Sequence, residues 1–361
     1  MKGKLIPSIA LLVATVIIFL LFLEIGARIF VVFSPKFMCS TFSNLDDENL
    51  CQLEYKLPRN FWQGQNSTAY SGEFCDMPDT ELGWVPSQNC RTQLYSTNSQ
   101  GFRGLKEFSI AKNRTRIIFV GDSFTWGEAN YDNTTFTYYL DKSFNGSADI
   151  INMGVRGYGP DQAYLYFMRN GLKYKPDIVV FGLFMPDIHR TILSVRDYYK
   201  PRFILVGGEL KLDKASLKIP DLKTASAKSS EVKKKARLYS FSYFYGLFKK
   251  FWRLETAYSH ESGLTLNIID EMNEQLGKEG IKLVVLLIPE QEMVEKNNDD
   301  YYGALPKIIT GLENNRIGYI NLQPLFKAEF QKSNQSLYRP HLKPAGNLIV
   351  ARELFHELRK K

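Results

Sequence analysis

The chain has 361 residues, 44% of them hydrophobic, and a formal net charge of +8. The roughly 240 residues from the first core strand onward need no more than one domain. The positive charge is not spread evenly along the chain. Much of it falls in a single stretch, about 196–260, whose densest run is Lys233-Lys234-Lys235.

From Leu5 to Phe33 the residues are almost all apolar, interrupted by Pro7, Ser8, Thr15, Glu24, Gly26 and Arg28. Such a stretch can supply the ~20 residues that a bilayer-spanning helix needs. Lys2 and Lys4 precede it, so the short amino end is expected to stay cytoplasmic. No small-residue cleavage site follows, which points to an uncleaved signal anchor over residues 1–33. Glu24 and Arg28 stand four apart and are expected to pair on one helix face. The remainder is then expected outside the cytoplasm, in a periplasmic or cell-surface setting, where nucleic acid is not an expected partner. Cys39, Cys51, Cys75 and Cys90 all fall between the apolar stretch and the first core strand. An even count in one extracytoplasmic segment predicts two disulfides, with three pairings open.

Residues 34–110 are polar and poor in long apolar runs. They read as an extended lead-in, stapled by disulfides and packed against the main domain through Trp84 and Phe102. From residue 111 to 361 strands and helices alternate. Strands are expected at Ile117–Val120, Ile150–Met153, Ile178–Phe184, Ile281–Ile288 and Ile317–Ile320. Helices are expected near Thr134–Phe144, Pro160–Asn170, Gly263–Glu279, Tyr302–Leu312 and Pro344–Leu358. This alternation predicts a parallel sheet with helices on both faces, joined by right-handed crossovers. The stretch 196–260 interrupts it as an insertion. It reads as a solvated loop with an aromatic helix lidding the domain, or as a contact to a membrane surface or anionic polymer.

The most informative stretch is Arg116-Ile-Ile-Phe-Val-Gly-Asp-Ser-Phe-Thr125. Its unbroken apolar run reads as a strand buried on both faces. Gly121 ends the strand and leaves Ser123 at its carboxyl end, the edge where α/β sheets place their chemistry. A serine on such a turn can be a nucleophile. Alternatively, Asp122 or Ser123 merely caps the next helix. The second strand ends in Asn152-Met-Gly-Val-Arg-Gly-Tyr-Gly-Pro160, whose glycines let backbone approach a ligand and expose N–H groups. Such N–H groups are what an oxyanion needs. The third strand ends in Phe184-Met-Pro-Asp187. The last loop reads Tyr338-Arg-Pro-His-Leu-Lys-Pro344. Of the four histidines, His189, His260, His341 and His356, only His341 is expected in a loop at this edge, so it is the candidate base for Ser123.

With these motifs, and with the lead-in Asn98-Ser-Gln-Gly-Phe-Arg103, the chain from about residue 80 to its end resembles the SGNH, or GDSL, hydrolase superfamily, in a membrane-anchored bacterial branch. The resemblance implies a flavodoxin-like three-layer α/β/α sandwich on a five-stranded parallel sheet. It implies Ser123 as nucleophile, His341 as general base, and the Ser123 and Gly154 N–H groups as the oxyanion hole. Asp122, Gly157 and Tyr158 are the candidate substrate contacts. It implies ester hydrolysis or acyl transfer, often of acetyl on sugars, with no metal or organic cofactor. The expected partner is a glycan or acylated envelope substrate. The chain departs from the family's pattern twice. Met185-Pro186-Asp187 stands where an Asn-Asp pair is usual, and Tyr338 and Arg339 stand where an Asp precedes the histidine. Three readings stay open: a Ser–His dyad; another acid on His341, with Asp187 the nearest candidate by loop position and Asp299 and Asp300 more remote; or a degenerate site that only binds glycan. Arg339, if close, is expected to lower the His341 pKa.

Overall fold

The computed structural model describes residues 5–33, 46, 49–51, 75–213, 221–239, 243–296 and 303–359. Helix α1 (Leu5–Phe33) contains a span, Leu11–Ile29, with a mean hydropathy of 2.3. It is long and apolar enough to cross a bilayer, and its apolar side chains are exposed. Glu24 and Arg28 pair across one turn at 2.8 Å. The chain divides into two compact units. One takes in Met1–Pro58, Val195–Tyr198 and Pro220–Thr256; the other takes in Arg59–Ser194, Tyr199–Ile219 and Ala257–Lys361. In the first unit, Ser229 of a later helix donates its hydroxyl to the Leu50 carbonyl.

Among its described residues the second unit starts with a hairpin of β1 (Asp76–Asp79) and β2 (Gly83–Pro86). A disulfide joins Cys75 to Cys90, Cys51 is also disulfide-bonded, and Cys39 lies outside the described residues. The core then runs β3 (Thr115–Gly121), α2 (Ser123–Trp126), α3 (Phe136–Phe144), β4 (Ala148–Gly154), α4 (Pro160–Asn170) and β5 (Ile178–Phe184). Next come a small hairpin, β6 (Phe203–Val206) and β7 (Glu209–Leu212), and two helices, α5 (Leu222–Tyr239) and α6 (Tyr243–Lys278). After β8 (Lys282–Ile288) follow α7 (Gln291–Glu295), α8 (Ala304–Asn314), β9 (Gly318–Asn321) and α9 (Gln323–Ser333). The chain closes through the two-residue strands β10 (Tyr338–Arg339) and β11 (His341–Leu342) into α10 (Pro344–Arg359).

Five strands form one parallel sheet in the order β4-β3-β5-β8-β9. Renumbered within the sheet, that order is 2-1-3-4-5, the flavodoxin-like arrangement, and its direction reverses at β3. Successive side chains of a strand point to opposite faces. Accordingly Ile117, Phe119, Ile150, Val180, Val284, Leu286 and Ile320 share one core with Phe136 and Leu140 of α3, Phe326 of α9, and Val350 and Leu354 of α10. The intervening Ile118, Val120, Ile151, Val179, Phe181 and Val285 are equally buried on the other face, where α4 packs on β3. Strands buried on both faces are what continuous Val/Ile/Leu/Phe runs require.

Helix α9 was not expected from the sequence. It starts at Gln323-Pro324, with proline in the first turn, where its missing N–H costs nothing. The insertion holds a hairpin and two helices rather than a loop and one aromatic helix, and the expected Gly263–Glu279 helix is the end of α6.

Candidate active site

Gly121 ends β3 where a Cβ would meet Thr125 Oγ1 at 2.3 Å and the Gly182 carbonyl at 2.6 Å. Only glycine there lets the chain turn at once into α2, with Thr125 tucked between β3 and β5. Asp122 is the N-cap of α2: its Oδ1 accepts the Phe124 N–H at 3.0 Å, and it is 2% exposed. Ser123 therefore opens the helix at the point where the sheet order reverses. As the first helical residue its N–H has no intrahelical acceptor.

The His341 Nε2 lies 2.9 Å from Ser123 Oγ. The β10–β11 hairpin presents the imidazole, with Arg339 paired to His341. Phe124 fixes one wall: its ring stacks on Phe184 at 3.8 Å and leans on the His341 ring at 4.9 Å. Asn130 ties the loop after α2 to this hairpin, donating Nδ2 to the carbonyls of Glu128 (2.9 Å) and Leu342 (2.8 Å). Burial is the largest influence on His341 and holds its pKa below the usual value; Glu128 and Asp122 oppose that, and Arg156 and Arg190 reinforce it. Arg339 is exposed and is not among these influences. The two arginines that act come from other loops.

The other expected residues are placed differently. Asp187 is clamped by Arg190, which reaches its Oδ2 and Oδ1 at 2.9 Å each. Its carboxylate neutralises that guanidinium and makes no hydrogen bond or ion pair with His341. Asp299 and Asp300 lie outside the described residues. Among the described residues, His341 Nδ1 has no hydrogen-bond partner. The Gly154 N–H is not offered to a ligand: it donates to Asn152 Oδ1 at 2.9 Å. Glycine is needed at 154 for a different reason, since a Cβ would sit 2.4 Å from the Trp126 nitrogen as the nucleophile turn crosses β4. Tyr158 is fully buried, donates its hydroxyl to the Trp84 carbonyl and packs edge-on against Trp84, so its side chain faces the lead-in and not a substrate. Asp122 caps α2 through Oδ1, the plainer of its two sequence readings, and its Oδ2 accepts the Ser123 hydroxyl at 3.2 Å. Gly157 stands in the loop after β4 with φ +77°, and its N–H is not donated to any described group. His189 is taken up by Glu261 at 3.0 Å.

Three residues of the site were not singled out from the sequence. Asn152 braces the nucleophile turn, donating Nδ2 to the Thr125 carbonyl at 2.9 Å and to Thr137 at 3.0 Å. Arg190 joins Asp187 to the Tyr158 carbonyl (2.8 Å) and approaches Asp122 at 3.9 Å. Glu128 places Oε2 3.6 Å from His341 Nε2 and Oε1 3.2 Å from Arg156 Nε. The lead-in supports this group. Asn98 Oδ1 accepts the N–H groups of Gln100 and Phe102, forming the turn that delivers Arg103. Arg103 then donates to the Asn130 carbonyl (2.8 Å) and pairs with Asp132 (2.9 Å). Trp84 Nε1 donates to the Arg156 carbonyl at 2.8 Å. Among the described residues no group of three or more His, Cys, Asp or Glu side chains is arranged to hold a metal ion.

No family model matches the chain, and no curated protein matches it. Several solved structures do. An acetyl xylan esterase, AlAXEase, is 16% identical at a TM-score of 0.43, over 67% of this chain and 99% of its own. A catalytic mutant of Axe2, an acetylxylan esterase from Geobacillus stearothermophilus, is 12% identical at a TM-score of 0.40, over 70% and 98%. A member of the lipolytic protein G-D-S-L family from Veillonella parvula is 11% identical at a TM-score of 0.42, over 68% and 100%. These identities and TM-scores are low, and the fold and chemistry of this chain are read from its own sheet and side chains. The fold itself is the flavodoxin-like α/β/α sandwich that the Gly-Asp-Ser resemblance implies, with one apolar helix ahead of it.

Proposed function

We propose that the chain is a serine ester hydrolase or acyl transferase of the SGNH type. It acts on an acyl ester, acetyl foremost, of a glycan or envelope component, outside the cytoplasm and tethered by α1. The observation that carries this reading is the 2.9 Å contact between Ser123 Oγ and His341 Nε2 at the carboxyl edge of the sheet. A base must stand within hydrogen-bond reach of the proton it takes, and this one does. Burial disfavours the charged form of His341 and so favours the neutral ring, the form that can accept that proton.

In the reaction His341 Nε2 takes the Ser123 proton while Oγ bonds to the acyl carbon. Charge develops on the carbonyl oxygen. We assign its donors to the Ser123 N–H and to the Gly157 N–H, since Gly154 is committed to Asn152. The imidazolium then protonates the departing sugar oxygen, leaving an acyl-Ser123 ester. Water, or a second hydroxyl in the transfer case, attacks that ester with His341 again as base. Pro186 supplies no amide donor, and one missing oxyanion donor typically lowers turnover by about 10²–10³. A modest rate is therefore expected. The test is release of acetate from acetylated xylo-oligosaccharides and from p-nitrophenyl acetate by the full-length chain. Release by wild type and none above background by Ser123→Ala supports the reading.

A second reading has its own support. His341 Nδ1 carries no carboxylate among the described residues, as expected of a site that has lost catalysis and kept binding. Saturable binding of acetylated glycan, with no acetate release and no serine reactivity, would favour it.

A further inference from the structure

Glu128 has no counterpart in the sequence expectations, yet it is the carboxylate nearest the reacting nitrogen of His341. Its position is set by backbone and side chain together. Gly127, at φ +82°, ends α2 and turns the chain so that the Glu128 N–H donates to the Ser123 carbonyl at 2.9 Å. The Glu128 carbonyl accepts Asn130 Nδ2 at 2.9 Å. Its Oε1 is paired with Arg156 Nε at 3.2 Å, which leaves Oε2 directed at His341 Nε2, 3.6 Å away. Arg156 is itself steadied from the lead-in, by Asp76 at 3.4 Å and by the Tyr95 hydroxyl at 3.3 Å.

We propose that Glu128 is the counter-charge for protonated His341, acting at the Nε2 edge of the ring in place of a carboxylate on Nδ1. The inference rests on the assignment of Ser123 as nucleophile and His341 as base. A separation of 3.6 Å is beyond hydrogen-bond length and within ion-pair range, so the resting neutral ring is not locked to Glu128 and remains free for the Ser123 hydroxyl. Once Nε2 holds the proton taken from Oγ, the same carboxylate faces a full positive charge in a largely buried site, where attraction is stronger than in water. The proton is then passed to the leaving oxygen, so Glu128 stabilises the ion without taking the proton. The other charged groups facing His341 are Asp122, whose Oδ1 caps α2 and whose Oδ2 lies 3.2 Å from Ser123 Oγ, and Arg156 and Arg190, both opposing the cation. Arg156 therefore has two effects: it positions Glu128, and it adds to the burial that favours the neutral resting ring.

The experiment uses the full-length chain in detergent, as wild type, Glu128→Gln and Glu128→Asp. The rate of inactivation by a fluorophosphonate is measured from pH 4 to 9, and the titration of His341 is followed by NMR of labelled histidine, assigned with His341→Gln. Glu128→Gln is expected to move both the acid limb and the His341 midpoint to lower pH. Its plateau rate is expected to fall by about 10-fold, the scale of losing one partly exposed ion-pair partner from the transition state. Glu128→Asp, which keeps the charge, is expected to recover most of both. If wild type reacts and neither the limb nor the midpoint moves in Glu128→Gln, the role of Glu128 is refuted and the esterase reading stands. If wild type does not react but the midpoint still falls, the charge pairing stands and the esterase reading fails.

Discussion

Asn130→Ala tests whether the base is held by its hairpin. The Asn130 side chain is 3% exposed and donates to two carbonyls, Glu128 at 2.9 Å and Leu342 at 2.8 Å. Leu342 follows His341 directly, so the second bond pins the strand that carries the imidazole. Alanine leaves the buried Leu342 carbonyl and the part-buried Glu128 carbonyl without this donor, at roughly 1–3 kcal/mol for an unsatisfied buried group and less for the Glu128 one. A loss of about 2–4 kcal/mol is expected, since partial relaxation or water entry offsets some of it. For a domain of this size that lowers Tm by about 5–15 °C. Thermal melts measure the stability, and the rate of serine labelling at about 20 °C, well below the melting range of an ordinary domain, measures positioning. The expected result is a lower Tm together with slower labelling at a temperature where the variant is folded. An unchanged Tm would refute the hydrogen-bond reasoning. A lower Tm with an unchanged labelling rate would show that Asn130 stabilises the fold without positioning His341.

The acid limb of the pH–rate profile follows from burial of His341. The depressed pKa means that the rate rises with pH through a midpoint below 6.5 and is flat above it, and a midpoint above 6.5 would contradict this. The same shift contributes stability that is present above pH 6.5 and lost as pH falls through the folded-state midpoint. Asp76 has the opposite sign: burial raises its pKa to about 6, so the native state loses stability as pH rises from 3.8 to about 6. Denaturant melts should show about 2–3 kcal/mol of that pH dependence vanish in Asp76→Asn. Gly154→Ala places a Cβ 2.4 Å from the Trp126 nitrogen and should abolish labelling of Ser123 even in protein that still melts cooperatively. Removing the Cys75–Cys90 bond, whose partners are 15 residues apart, should cost about 3 kcal/mol in denaturant melts and slow the site, because Asp76 and Tyr95 lose their tether beside Arg156.

The core strands could be read from the chain because burial on both faces demands continuous apolar runs, and Ile178–Phe184 begins and ends where that run does. The Ser123–His341 meeting was legible for a related reason. In a parallel sheet every strand delivers its loop to one edge, so residues 218 positions apart converge without any local signal between them. Helix α9 was not legible: Pro324 at its start reads as a break, and Phe326 is its one fully buried apolar side chain. The glycines of the second loop were visible as glycines, but not what each is for. Whether Gly154 exposes an N–H or makes room for a crossing backbone depends on where Trp126 passes. Glu128 and Arg156 carry no mutual signal either, since their approach depends on how α2 ends and how the β4 loop turns. Asp187 was misplaced because nearness to the sheet edge does not say which cation a carboxylate will meet, and Arg190, one turn further on, meets it first.

The most direct test of the central claim is the fate of Ser123 in the presence of a fluorophosphonate. Full-length protein would be labelled at mildly alkaline pH beside Ser123→Ala and His341→Ala, digested, and the adduct located by mass spectrometry. A single phosphonyl adduct on Ser123 in wild type, absent in Ser123→Ala and strongly slowed in His341→Ala, is the predicted result. No adduct on folded wild type, or a rate that His341→Ala leaves unchanged, would contradict the assignment of Ser123 and His341 as an activated nucleophile and its base.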